Sequence, residues 1–563
     1  MPPPIARTLA NITELKTALN ADQIRFNAQP EQLLTAIKTI ARSVAPSMAD
    51  APIDRQLSVA ALTPEIKRFH GAKVALGWFP GPALASPCAD KFGYMSKPAV
   101  RNASKLPFDV ATQALLAQLG ASMADPARAS GPDSAMPAGF TYFGQFVDHD
   151  ITLDVSSSLD AVTDATTIHN MRSPALDLDS LYGRGPALAP YLYNFPSSGP
   201  PTAIKFQMGS NTNTGPGGPG GAAGFGGMVA QTRRDVPRVH TPAAPADATT
   251  TAIIGDPRND ENLIVSQFHM SMLRFHNKVV DLLILATFAG DIFVEAKRIV
   301  THHYQWAVVN DYLKRICGPA AVTAAMGSVS APVGSAFAMP VEFAVAAYRF
   351  GHSQIRNDYW VNFNFPNASL GQVFSFIRPP QIPVFSNWVV DFNAFFTTGI
   401  TVPINNKAKK IDAVLAAGLN SLPGFPPAMA ALATRNLRRA QAMGLPSGQA
   451  MAGVFGVTAL TEVQLKQGLP ASEVAILDAN GGLLKTKTPL WYYCLREAMV
   501  INAGESLGPV GARIVAETFV RMLKRDGSSY LNASTPFAPT LPAATMGDFT
   551  VADLVKFAGA NVP

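Results

Sequence analysis

Apolar residues recur at helical spacing along most of this chain. In one stretch Leu263, Phe268, Met272, Phe275, Val279 and Leu282 keep close to a 3.6-residue period, which predicts a long helix with one buried face. A second pattern covers residues 293–315 and stops at Cys317-Gly318-Pro319, a helix-ending sequence. Shorter helices are expected near residues 340–355, 410–418, 427–442, 461–467, 486–501 and 507–525. A helix, loop and helix are expected between about 105 and 190. Alternating strand patterns are few and no internal repeat is visible, so the expected fold class is mainly α with little β-sheet. Residues 1–90 read as an N-terminal helical extension, with helical spacing over 12–20 and 31–44, and residues 91–563 as the main domain. Residues 209–250 read as a flexible Gly/Pro-rich surface loop. Its run Gly215-Pro216-Gly217-Gly218-Pro219-Gly220-Gly221 lacks a Gly-Lys-Ser/Thr ending and a flanking apolar strand, so it is not a phosphate loop.

Composition narrows the class. Hydrophobic residues make up 48% of the 563 residues and charged residues only 15%, the balance of a well-buried globular chain. A net charge of +6 is a small excess, and basic clusters such as Lys524-Arg525 are not interleaved with aromatics, so nucleic-acid binding is not expected. The 3 cysteines, Cys88, Cys317 and Cys494, form neither a disulfide framework nor a zinc pattern. The N-terminus lacks the charged-then-apolar run of a secretory signal. No apolar run approaches the ~18 residues of a membrane span. The expectation is a soluble protein, cytoplasmic or exported by a leaderless route.

The densest chemistry lies in Gly144-Gln145-Phe146-Val147-Asp148-His149-Asp150. On a helix successive residues point about 100° apart, so Asp148, His149 and Asp150 face three directions while Gln145 shares the His149 face. Taken alone, three adjacent polar residues read as a solvated face. A second segment, Arg172-Ser173-Pro174-Ala175-Leu176-Asp177-Leu178-Asp179, alternates oxygen-bearing positions; in an extended loop these point one way and could wrap one hard cation together with Asp150. The Asp177/Asp179 pair alone would be a turn or a helix cap. A third segment is Gly255-Asp256-Pro257-Arg258-Asn259-Asp260-Glu261-Asn262, and a fourth is Ala347-Tyr348-Arg349-Phe350-Gly351-His352. Further on stands Arg435-Asn436-Leu437-Arg438-Arg439. His70, His169, His240, His269, His276, His302 and His303 read as core or surface residues. The neighbouring pair His302-His303 diverges on a helix and is not a metal pair.

In this order, over residues 140–525, the segments resemble the animal-type haem peroxidases of the peroxidase–cyclooxygenase superfamily. The resemblance implies a many-helix haem peroxidase fold, with 91–563 as the catalytic domain and haem b as cofactor. His149 resembles the distal histidine, Gln145 its water- and halide-ordering glutamine, and Arg258 the distal arginine. Asp148 and Glu261 resemble carboxylates that esterify haem methyls. Asn262 stands where a sulfonium-forming methionine would follow, so two ester links at most are implied. His352 resembles the proximal iron ligand, Asn436 the residue that polarises it, and Arg439 and Arg349 haem-edge residues. Asp150, Ser173, Ala175, Asp177 and Asp179 resemble a Ca²⁺ site; Ala175 replaces an aromatic at a position that supplies only its carbonyl.

The implied activity is reduction of hydrogen peroxide through a ferryl haem, with oxidation of halide, thiocyanate or small phenolic donors. A haem fatty-acid dioxygenase of the same superfamily is the nearest alternative. It would carry a radical-forming tyrosine three residues before the proximal histidine, where Arg349 stands; Tyr348 sits one residue earlier and is expected on a different face. A non-catalytic, adhesion-type relative should have lost His149, Arg258 or His352. A metal-dependent hydrolase would leave Arg258 and Asn436 without a role.

Overall fold

The computed structural model of the protein describes residues 67–69, 72–74, 91–125, 131–154, 161–211, 232–240, 250–375, 384–422 and 430–560. Before residue 91 only the paired strands Lys67–Phe69 and Ala72–Val74 are described, so the helices expected over 12–20 and 31–44 lie outside the described residues.

From residue 91 onward the chain is mainly α-helical. The principal helices are α1 (Val110–Met123), α2 (Gly139–Ile151), α3 (Leu263–Leu285), α4 (Ile292–Ala307), α5 (Leu432–Ala442), α6 (Leu490–Asn502), α7 (Pro509–Arg525) and α8 (Val551–Ala558). Several starts are written in the sequence. Asp109 accepts from Thr112 N–H at 2.7 Å, Asn262 from Val265 N–H at 3.0 Å, and α7 opens on a proline whose missing N–H has no helical partner to lose. Every strand among the described residues belongs to a two-stranded ladder. No described helix is long and apolar enough to cross a membrane.

Helix α2 is the centre of the molecule. All but Gln145 and Asp148 of its residues are buried, as expected of a helix that is apolar nearly all round. Phe143 and Phe146 pack edge-on against Phe268 of α3, with ring centroids 5.6 and 5.3 Å apart, and both rings also meet Tyr304 of α4. Gly144 lets Tyr312 approach the helix backbone: a Cβ there would land on the tyrosine hydroxyl.

Four expectations need correction. The 293–315 helix exists, but α4 passes into a π-helix over Val308–Leu313 before ending at Gly318, whose φ of +79° favours glycine. The 340–355 segment is a π-helix over Glu342–Ala346 followed by a 3₁₀-helix over Ala347–Gln354. Residues 410–418 do not form a helix. They follow the strand Lys407–Lys409 as bends and loop, with Ile411, Asp412, Ala413, Leu415 and Ala416 buried, and reach only a 3₁₀ turn at Ala417–Asn420. Parts of 209–250 are not loop: Gly209–Ser210 pairs with Thr232–Asp235, and Arg238–His240 with Thr250–Ala252. A buried ion cluster anchors these hairpins, Arg238 reaching Asp235 at 2.9 Å and Asp260 at 2.7 Å. The Gly215–Gly221 run lies outside the described residues.

Candidate functional site

Helix α2 and the 3₁₀ segment Ala347–Gln354 wall a cavity of about 880 Å³, its open mouth included. Thr141, Gly144, Gln145, Asp148 and His149 line it from α2, the face that the i, i+3, i+4, i+7 pattern defines. Asp150 points away, toward Asp177 and Asp179, but Asp148 and His149 share the cavity instead of serving separate faces.

On the α2 side, His149 is wholly buried. Its Nδ1 lies 2.8 Å from Asn259 Oδ1, and its Nε2 lies 4.0 Å from Glu261 Oε1. Burial, aided by the nearby Arg258 charge, lowers its pKa to about 3, so the ring is neutral at ordinary pH. Glu261 accepts a hydrogen bond from the Gln145 amide, whose oxygen in turn accepts from Asn262 at 3.1 Å. Asp148 also lines the cavity, accepts from Thr152 Oγ1 at 2.9 Å, and has its pKa raised by burial.

Arg258 stands behind this wall rather than in it. Its guanidinium grips Asp256 at 2.7 Å and donates to the carbonyl of His149 at 2.9 Å. Asp256 caps the short turn Pro257–Asp260, which draws the arginine back onto its own cap. Burial opposes ionisation of Asp256, but Arg172 and Arg258 outweigh it and hold the carboxyl well below the ordinary range.

The opposite wall carries His352. Burial, with the Arg349 and Arg435 charges, lowers its pKa to about 3, leaving a neutral imidazole fit to bind metal. Asn436 Nδ2 approaches its Nδ1 at 2.7 Å, while Arg349 Nη1 donates to Asn436 Oδ1 at 3.1 Å. The sequence predicts the reverse, His352 donating to Asn436. The guanidinium can only donate, so it takes the amide oxygen and leaves the nitrogen for the histidine. Turning the amide over presents oxygen to Nδ1–H, the arrangement that ligation through Nε2 requires. Arg349 lines the cavity. Arg439, one turn beyond Asn436 on α5, pairs with Asp154 at 3.1 Å and does not line it.

On the far face of α2 the carboxylates of Asp150, Asp177 and Asp179 converge, with an oxygen of each within 4.8 Å of the others. Between them Leu176 and Leu178 take left-handed φ of +52° and +60° and bury their side chains, which turns the aspartates to one side. Burial and the Asp177 charge push Asp150 up to about 7, and Asp177 and Asp179 are raised as well, by burial first. Ser173 donates its backbone N–H to Asp179 at 2.9 Å, and the Ala175 carbonyl accepts from Gln305 at 3.4 Å. Three of the five expected cation ligands therefore meet, with the other two beside them.

Some site residues escaped the sequence. Tyr348 and Tyr312 line the cavity, and Tyr348 donates to the carbonyl of Gly144 at 3.3 Å. Tyr348 was expected on another face. In the 3₁₀ segment residues 348, 351 and 354 form one row and 349, 352 and 355 another, and both rows line the cavity, so Tyr348 faces in without sharing the row of His352. Asn259 was visible as a letter inside a recognised motif, but its bond to His149 spans separate elements and left no local signal.

The sequence pattern of the animal haem peroxidase family matches residues 164–528, well over half of the chain. The protein belongs to that family. It is 37% identical over 113 residues to a peroxidase-like protein of Margaritifera margaritifera, a match spanning 18% of this chain and 14% of that protein's length. Peroxidase A of Dictyostelium discoideum shares the fold with a TM-score of 0.56 at 16% identity, over 84% of this chain and 94% of its own. A fatty acid α-dioxygenase of Oryza sativa does so with a TM-score of 0.53 at 13% identity, over 86% and 81%. Family membership implies haem binding. The lining fits that group: a neutral histidine on each wall, a half-buried and a buried carboxyl in Asp148 and Glu261, and an apolar side formed by Phe374, Leu419, Leu422 and Leu432.

Proposed function

We propose that the protein is a peroxidase that reduces hydrogen peroxide and oxidises halide, thiocyanate or small phenolic donors. The observation that carries this reading is the presence of His149, Gln145, Asp148, Glu261 and His352 in one cavity. His352 would hold the haem iron through Nε2, with Asn436 and Arg349 behind it, and Asp148 and Glu261 would attach the macrocycle. Arg439, paired with Asp154 and outside the cavity lining, takes no direct part in this reading. When bound, the haem supplies the redox chemistry; the chain supplies position, protons and field.

His149 is the general base and then the general acid. Unprotonated at Nε2, it can accept a proton from one peroxide oxygen and return it to the other. Gln145, tied between Glu261 and Asn262, orders the water or donor beside it. Arg258 acts through its charge, fixed against the His149 backbone in a dry site, where such a group is strongest. Asp150, Asp177 and Asp179, with Ser173 and Ala175 beside them, would bind Ca²⁺, whose charge relieves their repulsion.

A second reading, fatty-acid dioxygenase, is favoured by one observation: Tyr348 lines the cavity beside Tyr312. The test is the absorption spectrum of haem-loaded protein before and after one equivalent of peroxide. Peroxidase chemistry predicts a ferric spectrum that converts within the mixing time and returns when a phenol or iodide is added. Oxygen uptake driven by a fatty acid, lost in Tyr348→Phe, with no donor oxidation, would instead establish the dioxygenase. Failure of well-folded protein to take up haem would sink both.

A further inference from the structure

Behind His149 runs a second buried layer of side chains. Asn259 Oδ1 lies 2.8 Å from His149 Nδ1, and Asn259 Nδ2 lies 3.0 Å from His269 Nδ1. All three residues are completely shielded from solvent, at 0% exposure. With the Asn259 amide placed as it stands, oxygen toward His149 and nitrogen toward His269, the chain of contacts has one direction. An amide oxygen only accepts, so His149 carries its proton on Nδ1 and turns the Nε2 lone pair toward the cavity. An amide nitrogen only donates, so His269 accepts at Nδ1 and carries its own proton on Nε2. The two imidazoles are thereby tied: turning the Asn259 amide over would reverse both tautomers together. His149 would then present a proton at Nε2 and could not accept one.

His269 brings little else to the core. Its Nε2 has no hydrogen-bond partner among the described residues, and a buried donor left so costs about 1–3 kcal/mol. Its ring packs against Phe146 with centroids 6.0 Å apart, a contact that an apolar residue could make without that cost. The nitrogen that is bonded is the one facing Asn259.

We propose that Asn259 and His269 are positioning residues that set the tautomer of His149, keeping its cavity-facing nitrogen ready to accept a proton. This rests on the acid–base role read for His149 above, and the experiment separates the two. Selective ¹⁵N-histidine spectra of the haem-free protein report which nitrogen of each ring is protonated. Wild type should show His149 protonated at Nδ1 and His269 at Nε2, and His269→Leu should populate both His149 tautomers. In haem-loaded protein, Asn259→Leu should slow the reaction with peroxide on the order of 10²-fold, at the low end of what general acid–base catalysis supplies. His269→Leu should slow it about tenfold, and His269→Gln, which restores an acceptor for the Asn259 amide, should recover it. If Asn259→Leu does not fold, the His269 pair decides. Wild-type His149 protonated at Nε2, or peroxide rates unchanged in folded His269→Leu, would overturn the relay. His149→Leu is the control: if it reacts with peroxide at the wild-type rate, the acid–base reading itself fails; if it is slowed while the relay variants react at the wild-type rate, the relay alone fails.

Discussion

Single residues decide how a cofactor would be held. Asp148 and Glu261 come from segments more than a hundred residues apart, yet they share one cavity, and burial makes Asp148 harder to ionise than a surface aspartate. Asn262, next to Glu261, donates to Gln145 and offers no sulfur. Ester attachment therefore has two sites at most. After haem-loaded protein has turned over peroxide, acid denaturation should leave haem on the polypeptide, visible as added mass. Asp148→Asn and Glu261→Gln should each weaken this retention, and the double variant should release all haem. Complete extraction of haem from the wild-type chain would rule the esters out.

Elements explain what the sequence could and could not convey. The α-helical stretches were legible because their apolar residues keep a 3.6 period, and α3, α5, α6 and α7 fall where that period places them. The π-helix at Val308–Leu313 and the π-to-3₁₀ segment at Glu342–Gln354 have other periods, so the faces of Tyr312 and Tyr348 could not be read from spacing. The segment at 410–418 misled for the opposite reason: its apolar run is too short for periodicity to tell helix from loop. Contacts between elements carry energy as well. Glu497 on α6 accepts the Val510 and Gly511 N–H groups at the start of α7, at 2.9 and 3.3 Å. Burial nevertheless raises its pKa from 4.5 to about 7. The native state thus keeps this proton to higher pH than the unfolded chain. Its effect on stability is nil below about 4.5, turns unfavourable as pH rises from there, and is complete above about 7. At about 1.4 kcal/mol per unit, the loss is on the order of 3 kcal/mol. Denaturant titrations should show wild type losing stability relative to Glu497→Gln by that amount between pH 4.5 and 7; parallel curves would disprove the assignment.

At the scale of the molecule, the three other segments that bear the chemistry meet around α2, those of Glu261 and His352 on the cavity side and that of Asp177 and Asp179 on the cation side, with Arg258 between them. The order of the motifs was readable; which side chains turn inward was not, because Arg258 is drawn onto Asp256 by a cap that no spacing rule reveals. The cation loop should act on the whole fold. Burial raises all three carboxyls, and neighbouring carboxylates add to the rise at Asp150 and Asp179, so added calcium should raise the melting temperature and a chelator lower it. The gain follows RT ln(1 + [Ca²⁺]/Kd), about 2.7 kcal/mol at a hundred times Kd. Asp177→Asn should lose this response. An identical melting temperature in chelator and in millimolar calcium would show that no such ion is bound.

Arg172 gives the two sides of α2 a common member. It lies 3.5 Å from Asp179 in the cation loop and 2.6 Å from Asp256, which in turn holds Arg258 against the backbone of His149. An ion that claimed Asp179 would release Arg172 to Asp256 alone and shift the field at the far end of the chain. Thermodynamic linkage makes that traffic two-way: whatever factor calcium contributes to the hold on a cavity ligand, the ligand must return to the hold on calcium.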